Sequence, residues 1–329
     1  MDVLRFRGMN TDIEAQLDPW EKTQPFDVHP VQAWFERSES RFSRFRPDSE
    51  LSNLNDRAGE RCLVSAPMLN VLELSDYYQK LTSGLFTVFL YHRMMQLGYS
   101  RSFEQIGSES VELLSDKTTT GKNFDMELDP RMQSVRLSSS GKLDLGGIVK
   151  GWTVKEAAAM MREQYGCRKG LINAGGDLEV WGATNAEPWL IAVANPNGET
   201  QKEIILELTN GAAATSSTLR RKWLTNRGTM HHLVDPRTME PSANTVVQCT
   251  VVGKNLIDCE VWAKVLCVAG VEEGIPLFQK QTAGLEALLY TNDGKLHYIP
   301  SSRIRTQTRW HGLVADVIHD DGKERIECI

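Results

Sequence analysis

Residues 143–152 read LDLGGIVKGW and residues 170–182 read GLINAGGDLEVWG, with a helix-like stretch between them. Around segments that otherwise read as buried, this region sets a charged pair, Asp144 and Lys150, and four close glycines, Gly146, Gly147, Gly175 and Gly176. Glycine beside a fixed charge lets a backbone approach a polar ligand closely, which a buried strand alone does not need. A phosphate-bearing or otherwise anionic guest suits such a place. A plainer reading is equally open: a tight turn into a helix N-terminus, then a glycine turn between two strands.

Working outward, GWTVKEAAAMMREQY (151–165) is the clearest helix, apolar at Val154, Ala158, Met161 and Tyr165 and closed by Gly166. Downstream the pattern turns to strands: GLINAGG, LEVWG, WLIAVANP, IILEL, GAAATSS, HHLVDP and VVQCTVVG. A further helix, LIDCEVWAKVLCVAG, is predicted from Leu256 to Gly270, and ALLYTNDGKLHYIP reads as a hairpin around Asn292, Asp293 and Gly294. Upstream, VLRFRGMNTDIEAQL alternates apolar and polar residues and reads as one opening strand. The stretch from Pro30 to Phe42 has helical spacing, and Asp48 and Ser49 resemble caps for a short following helix. APMLNVLELSDYYQKL (66–81) is an amphipathic helix stopped by Thr82, Ser83 and Gly84, and GLFTVFLYHRMMQLGY turns helical after its first residues. Residues 109–142 read as strands with turns, MQSVRLSS among them. Strands in series with only a few helices indicate mixed α+β architecture rather than regular βαβ repetition. One domain is expected over residues 1–300, with the polar, charged residues 301–329 a tail or an oligomer contact.

The 329 residues are 41% hydrophobic and 24% charged, the composition of an ordinary globular protein. A net charge of −6 and a pI near 5.7 argue against nucleic-acid or anionic-membrane partners. The first residues hold Asp2, Arg5, Arg7, Asp12 and Glu14 rather than an apolar run, so no signal peptide is expected. No later stretch reads as a transmembrane helix. Cys62, Cys167, Cys249, Cys259, Cys267 and Cys328 form no CxxC pair and read as reduced thiols, which points to a cytoplasmic protein without a zinc site.

Several residues are suited to chemistry. His231-His232-Leu233-Val234-Asp235-Pro236 puts two histidines and an aspartate at a strand end; histidine is the usual general base near neutral pH. The same residues also read as a strand entering a turn capped by Asp235. Asp258, near the start of the second helix, is either a first-turn carboxylate favoured by the helix dipole or a hard oxygen ligand for Mg²⁺. Thr215-Ser216-Ser217 presents hydroxyls and N–H groups to a phosphate or forms a plain turn. No GxSxG, GxxxxGK[ST] or GxGxxG motif occurs, which removes the common serine-hydrolase and nucleotide-binding classes.

Taken in order, these pieces resemble the FAD:protein FMN transferases, the ApbE family. Arg7-Gly8-Met9-Asn10-Thr11 looks like the family's opening MGT strand, FSRFRPDSELSNLN (42–55) like its SxY–Sxxxxx–N stretch, and GLFTVFL (84–90) like its G-FDPT segment. LDLGGIVKGW resembles iDlgaiaKGy, LINAGGDLEVWG the linlGGdi…G motif, and PWLIAVANP the pW-igi-P strand. AAATSS is similar to vaTSG, HHLVDPRT to hHiiDP-tG, and IDCEVWAKVL to aDalaTal. The resemblance spans most of the chain and implies a T-fold-like α+β architecture of mixed sheets. It also implies FAD as substrate with Mg²⁺, and transfer of the FMN half to a Thr or Ser of a target flavoprotein with release of AMP.

Residue by residue, the resemblance assigns His232 as the base, Asp258 as a metal ligand and Gly147 as a backbone-carbonyl ligand to the same metal. It gives Asp144 and Lys150 flavin-side or phosphate groups, and puts Met9, Phe45, Leu85, Phe86, Thr87 and Val261 on FAD-contacting positions, with Phe45 suited to stacking on a flat ring. Four positions depart from the pattern. Trp262 stands where the family has a metal-binding Thr, and Phe86-Thr87-Val88 replaces FDP. Ser217 replaces the Gly of TSG, and Met239 that of DP-TG. These losses leave a second expectation open beside the active transferase: an FAD-binding relative that acts as a flavin carrier or regulator.

Overall fold

The computed structural model describes residues 1–19, 29–107, 110–113, 124–196, 198, 203–301, 309–320 and 323–325. The alternating N-terminal run is two strands, not the single one expected. β1 (Asp2–Gly8) and β2 (Thr11–Pro19) pair antiparallel, and the chain reverses through Met9 and Asn10 at φ 50° and 57°. A two-residue turn of left-handed residues interrupts the period-two pattern so briefly that the alternation carries straight across it.

Eight further strands follow in chain order across the same sheet: β3 (Cys167–Ala174), β4 (Asp177–Trp181), β5 (Gly211–Ser217), β6 (Val246–Gly253), β7 (Glu286–Thr291), β8 (Leu296–Ile299), β9 (Val317–Asp320) and β10 (Lys323–Arg325). Every neighbouring pair is antiparallel except β8 and β9. Both faces of the central strands β3 to β7 are covered. Ile172, Ala212, Ala214, Val251 and Leu289 join the larger core, whereas the intervening Leu171, Ala213, Val252 and Leu288 join a smaller one. Burial on both sides is why these strands read as near-continuous apolar runs.

Seven helices occur among the described residues: α1 (His29–Phe42), α2 (Glu50–Asp56), α3 (Ala66–Leu81), α4 (Tyr91–Gln96), α5 (Phe103–Ile106), α6 (Val149–Glu163) and α7 (Leu256–Gln281). α1, α6 and α7 bury their apolar stripes in the larger core. The smaller core lies under a three-stranded sheet of Trp189–Val193, Ile204–Leu208 and Arg309–His311. Residues 309–320, which fall in the segment expected as a tail or oligomer contact, thus add strands to two sheets, and Trp310 and Leu313 pack on the smaller core. Of the polar stretch 109–142, residues 109 and 114–123 lie outside the described residues, and Met126–Asp129 and Ser134–Leu137 are strands.

The helix expected to end at Gly270 does change course there (φ 77°, ψ −170°), but helical residues resume and continue to Gln281. The Asn244 amide donates to the carbonyls of Cys267 and Val268 at 2.8 Å each, satisfying acceptors that the break frees. No helix among the described residues is long and apolar enough to cross a membrane. Cys62, Cys167, Cys249, Cys259 and Cys267 are buried free thiols; Cys328 lies outside the described residues.

One buried amide ties α2 to the loop that begins at Leu143. α2 starts at Ser49, whose hydroxyl accepts from Ser52 N at 3.0 Å, while Asp48 pairs with Arg46 at 3.5 Å instead of capping. Asn55 in α2 then donates to Leu143 O at 2.9 Å and accepts from Leu143 N at 2.7 Å. Asn55→Ala leaves two buried backbone groups unsatisfied and is expected to cost about 1–3 kcal/mol. The measurement is the urea midpoint at unchanged slope; an unmoved midpoint would mean the loop is held by other contacts.

Candidate functional site

With Leu143 pinned, Asp144 is placed by its neighbours. Its N–H donates to Val88 O at 2.8 Å, and its Oδ1 accepts from Gly146 N at 2.9 Å, closing a turn. Its Oδ2 pairs with Arg44 Nε at 2.7 Å. That guanidinium is nearly buried, 4.1 Å from the Phe45 ring centroid and 4.8 Å from that of Tyr99, and Tyr99 stacks on Trp223 at 5.2 Å. Lys150 sits in the first turn of α6, where its ammonium pairs with Asp177 of β4 and donates to Ala174 O at 3.1 Å. Gly175 and Gly176, at φ 64° and 100°, make the turn from β3 to β4. A Cβ on Gly175 would run into Thr11 Oγ1. The glycine-turn reading therefore holds at Gly175 and Gly176, and both residues also line a cavity.

Two cavities adjoin here. The first is walled mostly by apolar groups, including Met9, Phe45, Leu85, Phe86, Leu90 and Val268, with Thr87, Asp144 and Gly147 also in its lining. The second is mixed and more polar than the first, with Asn173, Asp177, Thr215, Ser216, Gln248 and Thr250 among its lining beside Leu178, Ile191 and Leu206. Six residues belong to both walls: Asn10, Gly146, Lys150, Arg221, His232 and Lys264. The junction of an apolar chamber and a more polar one thus carries three cationic side chains and an imidazole.

The expected strand HHLVDP is broken, with Gly228–His231 and Val234–Asp235 as separate short strands and His232 between them. Burial, then the positive charges of Arg221 and Lys264, push the His232 pKa well below its ordinary value, so the ring is neutral at pH 7. Its Nδ1 is buried and has no hydrogen-bond partner within the protein. An unsatisfied buried nitrogen costs about 1–3 kcal/mol, which a ligand hydroxyl at that point removes. His231 differs: its Nε2 bonds Ser242 O at 3.1 Å and its Nδ1 accepts from Leu233 N at 3.3 Å. Asp235 does not orient His232. Burial works to raise its pKa, but hydrogen bonds from Arg237, one at 2.7 Å, outweigh that and lower it.

On α7, Glu260 is fully buried, accepts Gly151 N at 2.8 Å and pairs through its other oxygen with Lys264 Nζ at 3.0 Å. Burial raises the Glu260 pKa and Lys264 opposes that rise. The residues assigned to Mg²⁺ are arranged differently from expectation. Gly147 lines the apolar cavity, but Asp258 lines neither; its carboxylate accepts the Tyr78 hydroxyl at 2.5 Å. Burial raises the Asp258 pKa, partly offset by that bond. The contacts joining Asp258 to Gly147 run through two rings, since Tyr78 lies edge-on to Phe86 at 6.4 Å and Phe86 would stand 3.2 Å from a Cβ on Gly147. Trp262 is 1% exposed and packs on Phe278 with centroids 5.6 Å apart. No group of three His, Cys, Asp or Glu side chains suited to a metal occurs among the described residues. Mg²⁺ at a pyrophosphate needs its few protein oxygens facing the same space as the phosphates, and here Asp258 faces neither cavity while position 262 supplies a buried indole in place of an oxygen.

Met9, Phe45, Leu85, Phe86, Thr87, Asp144, Gly147, Lys150 and His232 therefore share one cavity wall, whereas Val261 is buried in the larger core away from it. Sequence reading missed Arg44, Arg221 and Lys264. Lys264 carried a signal: a lysine four residues after Glu260, on a helix otherwise apolar on nearly every face.

Residues 9–289 match the ApbE family. An FAD:protein FMN transferase from Vibrio cholerae is 26% identical over 272 residues, covering 81% of this chain and 80% of that protein. One from Klebsiella pneumoniae is 25% identical over 268 residues, covering 79% of this chain and 80% of that protein. Among solved structures, the flavin transferase ApbE from Vibrio cholerae superposes with a TM-score of 0.76 at 23% identity, covering 92% of this chain and 98% of that one. The ApbE protein of Thermotoga maritima gives 0.74 at 20% identity, covering 90% and 96%.

Proposed function

This chain belongs to the ApbE family, and from that premise we propose that it transfers the FMN half of FAD to a threonine or serine hydroxyl of a target flavoprotein, releasing AMP. The observation that carries this reading is the shared wall of the two cavities. FAD is a flat apolar ring system and a more polar nucleoside joined by a pyrophosphate, and the site offers an apolar chamber, a more polar chamber and three cations where they meet. In this reading the isoalloxazine lies beside Phe45, Leu85 and Phe86. Lys150, Arg221 and Lys264 hold phosphate oxygens.

The acceptor hydroxyl attacks the phosphorus on the FMN side. An oxygen–phosphorus ester bond forms, the bridging P–O bond breaks, and AMP leaves. His232, neutral and with an unpartnered nitrogen, takes the hydroxyl proton. The cations hold the charge that develops on the phosphoryl oxygens, which is the main demand of phosphoryl transfer. The test is incubation with FAD and an acceptor flavoprotein, read as covalent fluorescent flavin and AMP in equal amounts. FAD binding without transfer to any acceptor would favour the carrier reading instead.

A pH dependence follows. Because the folded-state pKa of His232 is depressed below about 6.5, the base stays unprotonated as pH falls through 6.5 and is lost only at lower pH. The acid limb of kcat/KM is therefore expected below pH 6.5. A limb at or above that value would contradict a desolvated, cation-surrounded base.

A further inference from the structure

We propose that Lys264 supplies, from the protein's own chain, the positive charge at the FAD pyrophosphate that the family resemblance assigns to Mg²⁺, so that FAD binds here without a divalent cation. The inference rests on the reading of the two cavities as an FAD site. Lys264 lies in the wall common to both. Its side-chain carbons stand 3.9 and 4.0 Å from where a Cβ on Gly147 would be, so the ammonium stem occupies the surroundings of the residue expected to ligate the metal. The other expected oxygen donors are turned elsewhere: Asp258 is engaged with Tyr78, and position 262 places an indole in the core.

The ammonium is held in place rather than free. Glu260, with no exposed surface, takes one Lys264 donor at 3.0 Å and is itself fixed by Gly151 N at 2.8 Å, which ties α7 to the first turns of α6. An ammonium has three donors; Lys264 gives one to the Glu260 carboxylate and a second, at 3.5 Å, to the Glu260 backbone carbonyl, and keeps the third for a phosphate oxygen. Three cations then face two carboxylates, Asp177 and Glu260, and no carboxylate among the described residues pairs with Arg221. A dianionic pyrophosphate entering this wall meets a net positive charge. Without Lys264 the shared wall itself would carry no net charge, with a buried Glu260 left unpaired beside it.

The experiment is titration of FAD into the full-length protein, followed by quenching of flavin fluorescence, once with excess EDTA and once with excess Mg²⁺. The FAD Kd is expected to agree within about twofold between the two buffers. Lys264→Gln is expected to weaken FAD at least about tenfold while riboflavin, which lacks the pyrophosphate, changes by less than about twofold. If that variant fails to fold, the paired change Glu260→Gln with Lys264→Gln removes both buried charges together, with the same expected loss for FAD alone. A loss of about tenfold or more in wild-type affinity on EDTA treatment overturns the inference, as does a Lys264 variant that binds FAD like the parent. Failure to bind FAD in either buffer overturns the reading of the site itself.

Discussion

Trp262→Ala is expected to lower the free energy of unfolding by about 3–5 kcal/mol, the usual cost of deleting a large aromatic side chain from a packed core. The indole is 1% exposed and meets Phe278 edge-on at 5.6 Å, so little can relax into the space it leaves. Trp262→Thr is the sharper variant. It installs the hydroxyl that the family pattern carries at this position, yet the side chain would still point into the core, and a similar loss of stability is expected. The FAD Kd should remain the same in EDTA and in Mg²⁺. The checks are urea unfolding and the two-buffer titration. A Trp262→Thr protein as stable as its parent, with newly Mg²⁺-dependent binding, would place position 262 at the site after all.

His232→Asn is expected to slow FMN transfer by about 10²–10⁴-fold, the range supplied by a positioned general base. FAD affinity should change by no more than a few-fold. Asparagine keeps a hydrogen-bonding side chain but cannot take a proton at neutral pH, so ligand contacts and proton transfer separate. Single-turnover rates with saturating FAD give the first quantity and fluorescence quenching the second. Retention of the rate within about fivefold would put the base elsewhere. His231 is the natural control, because its two nitrogens bond Ser242 O and Leu233 N and it stands in neither cavity wall.

Much of the architecture was readable because its causes are local. α3 has the bounds that its apolar spacing and the following Thr82, Ser83 and Gly84 indicate, and α2 begins at its serine cap. The central strands β3 to β6 declare themselves because burial on both faces leaves few polar interruptions. The misread places are those where a feature two residues long, or a contact from far along the chain, decides the outcome. Two residues at positive φ turn one apparent strand into a hairpin. Asn244, more than twenty residues away, caps the break at Gly270 and lets a helix resume beyond it. The strands after residue 300 are held by pairing with β8 and with Ile204–Leu208, not by a pattern of their own.

LDLGGIVKGW, GLINAGGDLEVWG and the HHLVDP segment were recognisable by themselves as the parts of a ligand site. Each is a short run in which glycine, charge and imidazole types are restricted by what the backbone must do or approach. Their order along the chain was enough to point to the family. What only the tertiary structure decided is which side chains share a space. It brought Lys150, Arg221, His232 and Lys264 from four separate segments to the junction of two cavities. It turned Asp258 toward Tyr78 and Trp262 into the core. Spacing on a helix fixes the direction of a side chain relative to its own axis. Which neighbour or cavity lies in that direction depends on how α7 packs against α6 and the sheet, and that is a property of contacts between residues more than a hundred positions apart.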